Sequence, residues 1–391
     1  MSHLYTNAHI VGPEEVQFGS VRTVGGVITE ISDYQLAPDG DIVVDLAGDY
    51  LMPGVVEVHT DQMEGHFQPR PKRYWDPIPA VIAHDAQMAT SGVTTVLDAI
   101  RIGTGPLDND DLAKKARILM DAVVHAAEAG VLRADHYLHL RCEVSSPDVV
   151  EVFDQLGNHD RVLMMSLMDH TPGQRQYADI EAFRTYMVGR GRLSNDQFDE
   201  HVSLLQELAA RYSDTHRRQM AERATARGIT IAAHDDGTTA HVEESSALGV
   251  RISEFPTTME AAHAAHAAGQ LVVMGAPNIV RGGSHSGNIA AQDLLTAGLL
   301  DILSSDYVPS SLLQAAFQLH GRGELTLPRA SAMLSANPAR SVGLDDRGVI
   351  AEGMRADLIR VHTFGAPAEQ HPLNSPVPVV RGVWREGHRV A

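Results

Sequence analysis

Apolar and polar positions along the chain follow two different patterns. Near both ends, short strand-like runs are separated by turn residues and show no helical periodicity. The predicted terminal strands are residues 4–11, 16–24, 27–31, 42–51, 348–350, 357–362 and 377–385. Neither end has enough apolar residues for a separate core. The pattern therefore predicts one small β-sandwich module assembled from both termini.

The middle of the chain alternates between strand-like apolar runs and segments of helical spacing. The predicted strands are residues 55–59, 93–98, 137–143, 162–169, 229–235, 251–255, 271–275 and 301–306. The clearest predicted helices are residues 110–128, 259–268 and 288–297, and the long connection 172–227 predicts extra helices. Eight strands alternating with helices predict an α/β fold, a (β/α)8 TIM barrel. The predicted domains are 1–52, 53–345 and 346–391.

Composition narrows the range of functions. The chain has 391 residues, a net charge of −19 and one cysteine, so an internal disulfide is excluded. An acidic protein lacks the positive surface that nucleic acids and anionic membranes require. We see no secretory signal and no apolar run of about 18 residues, so we expect a cytoplasmic protein without a membrane span. The oligomeric state stays open, and a homo-oligomer is compatible with the sequence.

Metal-ligating residue types stand where five of the predicted strands end. In this fold the active site is built at the carboxyl ends of the strands. His59 and Asp61 alone would read as a structural histidine and a helix cap, but comparable endings on other strands favour a metal site. Three imidazoles and three carboxylates exceed what one tetrahedral zinc needs, so we predict two divalent ions, zinc before manganese or iron. The predicted ligands are His59, Asp61, Glu143, His170, His234 and Asp306.

Other residues compete for places in this site. Asp235 and Asp236 are rival carboxylates beside His234, and His139 is a rival for the third strand. Because residues 138–141 alternate between apolar and polar side chains, His139 could equally face the helix layer of the barrel. The sequence leaves these three alternatives open.

Several motifs resemble the amidohydrolase superfamily. The resemblance rests on Pro53-Gly54-x-x-Glu57-x-His59-x-Asp61, on His234 after the fifth strand and on Asp306 after the eighth. Asp61 departs from the pattern, because most members carry a second histidine there. The superfamily implies the same barrel and the same composite β-module.

Longer strings are similar to one branch of that superfamily, which acts in phosphonate utilisation through carbon–phosphorus lyase. They are residues 138–143, 166–176, 234–236, 254–258, 275–288 and 302–307. The resemblance implies hydrolysis of a small anionic sugar, α-D-ribose 1-methylphosphonate 5-triphosphate, to the 5-phosphate and diphosphate. It further implies that Asp306 is both ligand and general base, and our hypothesis is that Glu143 bridges the two metals. Segment 62–66 is unlike the better-known members.

A triphosphate substrate would need cationic and backbone donors. The loop after the seventh strand suits this role, since barrel phosphate sites often lie after strands seven and eight and a helix is expected to begin near residue 288. Its predicted phosphate-binding residues are Arg281, Gly282, Gly283, Ser284 and His285, and Arg175 and Arg70 are further candidates.

Two other functions remain open. The first is a deaminase or cyclic-amide hydrolase on the same barrel, because a fold does not fix a reaction. The 5% aromatic content gives little support to the base-stacking pocket of a deaminase. The second is a non-catalytic scaffold in a phosphonate-degradation complex, against which the six intact ligands count.

Overall fold

The computed structural model describes residues 1–108, 112–189, 193–284, 287–365 and 376–391. Its strands form two sheets of eight strands each. The strands are β1 (Ser2–Val11), β2 (Val16–Val24), β3 (Val27–Ser32), β4 (Ile42–Asp45), β5 (Tyr50–Pro53), β6 (Val55–Thr60), β7 (Val93–Ile102), β8 (Asp135–Glu143), β9 (Val162–Met168), β10 (Thr230–His234), β11 (Ile252–Glu254), β12 (Leu271–Gly275), β13 (Ile302–Ser304), β14 (Leu358–Phe364), β15 (Val377–Arg385) and β16 (His388–Arg389).

The central sheet is the predicted parallel barrel. Its strands run in chain order from β6 to β13, and every described pairing between neighbours is parallel. A parallel bridge between Thr60 and Asp306 joins the first and last strands at their carboxyl ends. Apolar side chains such as Val58, Leu97 and Met164 fill the interior. The eight predicted barrel strands are confirmed, with boundary differences of a few residues.

Helices connect most of the barrel strands. They are α1 (Gln62–Phe67), α2 (Pro77–Thr90), α3 (Leu112–Glu128), α4 (Val149–Leu156), α5 (Ile180–Gly189), α6 (Asn195–Ala226), α7 (Thr239–Ala247), α8 (Met259–Ala267), α9 (Ala276–Arg281), α10 (Ala291–Thr296), α11 (Ser311–Gly321), α12 (Leu327–Ala332) and α13 (Ala336–Ser341). The long connection before β10 contains α5 and the 32-residue α6, as predicted. A capping box of Ser194 and Gln197 starts α6. None of the helices in the described ranges is long and apolar enough to cross a membrane.

The second sheet combines strands from both ends of the chain. Its order is β16-β15-β14-β5-β1-β2-β3, with β4 paired to β1. Two details of the prediction were wrong. Residues 42–51 form two strands, because Ala47 and Gly48 adopt positive φ angles of 51° and 84° and turn the chain between them. Residues 348–350 form a loop. The domain boundaries stay a prediction.

Candidate active site

The barrel seam, where the first strand β6 meets the last strand β13, fixes the relative position of the carboxyl ends of these two strands. The backbone N–H of Asp61 donates to the carbonyl of Asp306 at 3.0 Å, and the N–H of Asp306 donates to the carbonyl of His59 at 3.1 Å. Glu57, which is fully buried, accepts the N–H groups of His59 and Ser305, both at 2.6 Å. Burial raises the pKa of Glu57 to about 7. These contacts bring His59, Asp61 and Asp306 to one edge.

Glu254, at the end of β11, lies between two histidines of this edge. Its carboxylate is 2.7 Å from Nδ1 of His59 and 2.8 Å from Nδ1 of His234. Burial opposes ionisation of Glu254, but the neighbouring imidazoles outweigh it and hold the pKa of this carboxyl well below its usual range. A carboxylate can only accept, so both histidines carry their proton on Nδ1. Their Nε2 atoms are therefore the ones available as metal ligands.

The carboxylate of Asp235 lies next to the Nε2 atoms of two imidazoles. Its Oδ2 atom is 3.3 Å from Nε2 of His234 and 3.9 Å from Nε2 of His170. That oxygen is buried and has no hydrogen-bond partner. The backbone of Asp235 adopts a φ of 60°, a left-handed conformation that costs energy for a residue with a side chain. A buried carboxylate oxygen facing two imidazole nitrogens fits a divalent cation, which would satisfy all three atoms.

Glu143 has contacts that differ from those predicted. Its Oε2 atom is 2.6 Å from Nδ1 of His170, and its Oε1 accepts the N–H of His170 at 3.0 Å and the hydroxyl of Ser145 at 3.1 Å. Burial opposes its ionisation, but the adjacent imidazole outweighs this and lowers the pKa of Glu143 to about 2. Glu143 thus contacts Nδ1 of His170, as Glu254 contacts Nδ1 of His59 and of His234. This is the arrangement in which a carboxylate orients a metal-binding imidazole, and the bridging role of Glu143 stays a prediction.

The candidate ligands fall into two neighbouring groups. In each group, one ligand atom per residue lies within 4.8 Å of the others. The groups are His59, Asp61 and Asp306, and His170, His234 and Asp235. We call these six residues the rim cluster. Five of them were predicted as ligands, and Asp235 joins them in place of Glu143. Their mixture of imidazole and carboxylate donors suits zinc, manganese or iron.

Several other candidates are engaged elsewhere. Asp236 is buried, and its carboxylate pairs with Arg175 and accepts the hydroxyl of Ser245 at 2.9 Å. Arg175 is also buried, which leaves its guanidinium little access to a substrate. The ring centroids of His139 and His59 lie 5.2 Å apart. The two ring nitrogens of His139 are hydrogen-bonded to the carbonyl oxygen of Val58 and to Oγ of Ser166. Burial lowers its pKa to about 3, so it is neutral.

The predicted phosphate loop differs from its expected form. Residues up to Arg281 form the short helix α9, which ends at Gly282 in a left-handed conformation with φ 80°. The next helix begins at Ala291 rather than near residue 288, so no helix N-terminus lies at Asn288. Arg281, Gly283 and Ser284 nevertheless line a cavity of about 370 Å³ together with rim-cluster residues.

The remaining loop candidates lie elsewhere. His285 lies outside the described residues. Arg70 is exposed and is not among the residues that line this cavity.

Sequence reasoning missed two polar residues of the site. Glu254 is the last but one residue of the predicted strand 251–255, and extending the rule that singled out Glu143 by one position would have found it. Arg141 lies on β8 with its guanidinium 2.5 Å from Oδ1 of Asp61. Arg141 lies two residues before Glu143 on the same strand, so both side chains point to the same face, and this spacing could have identified it from the sequence.

Comparisons with known proteins show the family of this chain. The profile of the Amidohydrolase family matches residues 50–390. The chain belongs to the amidohydrolase family. It is 43% identical over 393 residues to the α-D-ribose 1-methylphosphonate 5-triphosphate diphosphatase of Escherichia coli (strain K12), covering 99% of this chain and 100% of the relative. It is 25% identical over 390 residues to the imidazolonepropionase of Deinococcus deserti, covering 93% and 90%.

Solved structures support the fold of this amidohydrolase. Dihydropyrimidinase from Brevibacillus agri NCHU1002 matches with a TM-score of 0.65 at 13% identity, covering 100% of this chain and 95% of that chain. N-acetylglucosamine-6-phosphate deacetylase from Pasteurella multocida matches with a TM-score of 0.65 at 11% identity, covering 100% and 99%. At these identities the likeness concerns the fold alone.

Proposed function

We propose that this amidohydrolase cleaves α-D-ribose 1-methylphosphonate 5-triphosphate to the 5-phosphate and diphosphate in the cytoplasm. The observation that carries the substrate is the 43% identity to the Escherichia coli diphosphatase, which spans 99% of this chain. The rim cluster supports a hydrolytic reaction at the same place. A phosphorylated sugar also agrees with the cationic side chains found around the cavity.

The rim cluster is the proposed site for two divalent ions. One would be held by His59, Asp61 and Asp306, and the other by His170, His234 and Asp235. When bound, such ions neutralise phosphoryl oxygens and activate water for attack. Glu254 and Glu143 keep the imidazoles in the tautomer and orientation that ligation requires.

Asp306 is the proposed general base. It lines the cavity at the end of the last strand, and the backbone contacts at the barrel seam fix its position. A carboxylate there can accept the proton of the attacking water as the new phosphorus–oxygen bond forms. The anhydride between the first and second phosphates then breaks, and diphosphate carries away the bond's electron pair. Loss of a general base typically slows a reaction by about 10²- to 10⁴-fold.

Arg281 is the proposed partner of the diphosphate. It is exposed at the end of α9, and its guanidinium is 3.4 Å from the hydroxyl of Tyr307, which also lines the cavity. A guanidinium can form two parallel hydrogen bonds to phosphate oxygens. Gly283 lets a phosphate approach the backbone closely. Arg281 would therefore place a positive charge where the leaving diphosphate gains negative charge.

The decisive experiment is an assay of the purified protein on three classes of substrate. We expect diphosphate release from the ribose triphosphate, no ammonia from an adenosine or cytidine panel, and no ring opening of hydantoin or dihydrouracil. Chelation should abolish release, and adding back zinc, manganese or iron in turn should restore it. Ammonia release or ring opening without diphosphate would instead support a deaminase or cyclic-amide hydrolase. No turnover of any substrate by metal-loaded protein would support a scaffold.

A further inference from the structure

A second cavity adjoins the one that contains most of the rim cluster. It measures about 270 Å³, beside about 370 Å³ for the larger cavity. Arg141 lines both cavities. His170 borders the smaller cavity and Asp235 the larger one, and these two side chains lie 3.9 Å apart. The two cavities therefore meet at the proposed metal centre.

The walls of the two cavities differ in chemistry. The larger cavity is the more polar one, with carboxylates, imidazoles, amides and Arg281 beside fewer apolar side chains. The smaller cavity has an aromatic and aliphatic wall that includes Tyr177, Phe183 and Met187, together with Arg101 and serine hydroxyls of the loop after β8. A triphosphate is polar along its whole length. A sugar that carries a methylphosphonate combines an anion with a ribose ring and a methyl group, which matches the mixed wall of the smaller cavity.

Arg101 and Arg141 form an unusual pair on the floor of the smaller cavity. They are direct partners in the register of β7 and β8, and both line this cavity. Like charges on neighbouring strands repel each other. Asp61 and Asp108 each offset one of the charges, at 2.5 and 3.3 Å. The Nε atoms of both arginines are nevertheless buried without a hydrogen-bond partner. Two guanidinium groups that line one cavity, each with hydrogen-bonding capacity left over, favour an anionic ligand.

We propose that the smaller cavity, with its mixed wall and two arginines, is the subsite for the ribosyl methylphosphonate end of the substrate, and that Arg101 recognises the phosphonate in exchange for its contact with Asp108. This proposal rests on the proposed function for the identity of the substrate. It fixes the direction of binding: diphosphate leaves toward Arg281, and the sugar lies between Arg101 and the wall that contains Phe183. Arg141 lies at the junction, where it can contact the phosphate that remains on the sugar.

The test compares Arg101→Gln and Arg281→Gln on two substrates. One is the full ribose 1-methylphosphonate 5-triphosphate, and the other is ribose 5-triphosphate, which lacks the phosphonate. We expect Arg101→Gln to lower kcat/KM for the full substrate by about 10- to 100-fold, as for a lost charged hydrogen bond, and to leave the truncated substrate within about twofold. Arg281→Gln should lower both. Arg117→Gln, an exposed arginine on α3, is the matched control.

A binding measurement separates this proposal from the reaction. Calorimetry with α-D-ribose 1-methylphosphonate, which has no phosphate to cleave, should show at least tenfold weaker binding to Arg101→Gln than to wild type. Equal loss of kcat/KM on both substrates would overturn the subsite and leave the diphosphatase function intact. Arg101-dependent binding without diphosphate release would support the subsite and overturn the reaction. Binding that is unchanged by Arg101→Gln would overturn the subsite whatever the activity.

Discussion

Two histidine–carboxylate clusters in this protein have similar composition and different chemistry. The rim cluster lies at the carboxyl ends of the barrel strands. The buried cluster, His84, Asp98 and His136, lies between the barrel and α2, and all three side chains have zero exposure. The potential ligand atoms lie within 4.8 Å of one another in the buried cluster and in each of the two groups that make up the rim cluster. Distance alone therefore does not distinguish them.

The hydrogen bonds separate the two clusters. In the buried cluster, Asp98 uses one oxygen for Nε2 of His84 at 2.8 Å and the other for Nδ1 of His136 at 2.7 Å. The remaining nitrogen of His136 lies 3.3 Å from Asp85. At the rim, the outer carboxylates occupy the Nδ1 atoms, and the Nε2 atoms face Asp235 and a cavity. In the buried cluster, Nδ1 of His84 is a single nitrogen left without a partner. A candidate metal site is thus marked by several neighbouring donors that remain after the protein's own hydrogen bonds are made.

The largest expected effect is on stability at the buried cluster. Asp98→Asn removes the charge that balances His136 inside the protein, and breaking a buried pair typically costs about 3–5 kcal/mol. Urea unfolding should show this loss, while metal content and turnover per folded molecule stay at wild-type levels. A loss of bound metal without loss of stability would mean that the buried cluster, too, holds an ion.

The matched change at the rim should have the opposite signature. Asp235→Asn removes the partnerless carboxylate charge, so bound metal should fall and turnover should decrease by about 100- to 1000-fold, the several kcal/mol that a catalytic ion supplies. Stability of the metal-free protein should change little or increase, because an uncompensated buried charge is lost. Wild-type metal content and activity in this variant would remove Asp235 from the ligand set and return Glu143 as the candidate.

A smaller effect is expected from replacing Glu254, the carboxylate that contacts Nδ1 of His59 and of His234. In Glu254→Gln the amide can accept from only one of the two imidazoles, and the other must change its tautomer. Metal affinity should fall by about 10- to 100-fold, as for other outer-shell partners, measured by competition with a chelator. Glu151→Gln, an exposed change on α4, is the control. Unaltered affinity in Glu254→Gln would show that tautomer control is unnecessary.

The pH dependence of stability tests the buried cluster in a second way. Burial opposes protonation of His136, but Asp98 and Asp85 outweigh it and raise the pKa of His136 to about 9 from an ordinary value of 6.5. A raised pKa gives stability that is fully present below pH 6.5 and is lost as the pH rises through 9. The free energy of unfolding should therefore fall between these values by up to about 1.4 kcal/mol per pH unit. His136→Gln should flatten this slope, and an unchanged slope would assign it to other groups.

The barrel and most of the rim could be predicted from the sequence for one reason. Strand alternation and strand ends are local properties, and the carboxyl ends of all barrel strands meet at one face. His59, Asp61, His170, His234 and Asp306 were found in this way. Arg175 shows where the approach fails, because its position after the fourth strand says nothing of the buried carboxylate of Asp236 that pairs with it.

The sequence by itself determined the fold class, the composite terminal module and the residue types at each strand end. Only the tertiary structure decided which of these side chains face the cavity. Glu254 contacts His59 from 195 positions away along the chain, and that contact orients the imidazole. Glu143 and Asp235 differ in the same way: the carboxylate of Glu143 is hydrogen-bonded to His170 and Ser145, and Oδ2 of Asp235 has no hydrogen-bond partner. Hydrogen-bond competition between distant segments decides which donor atoms remain available, and local patterns carry no record of it.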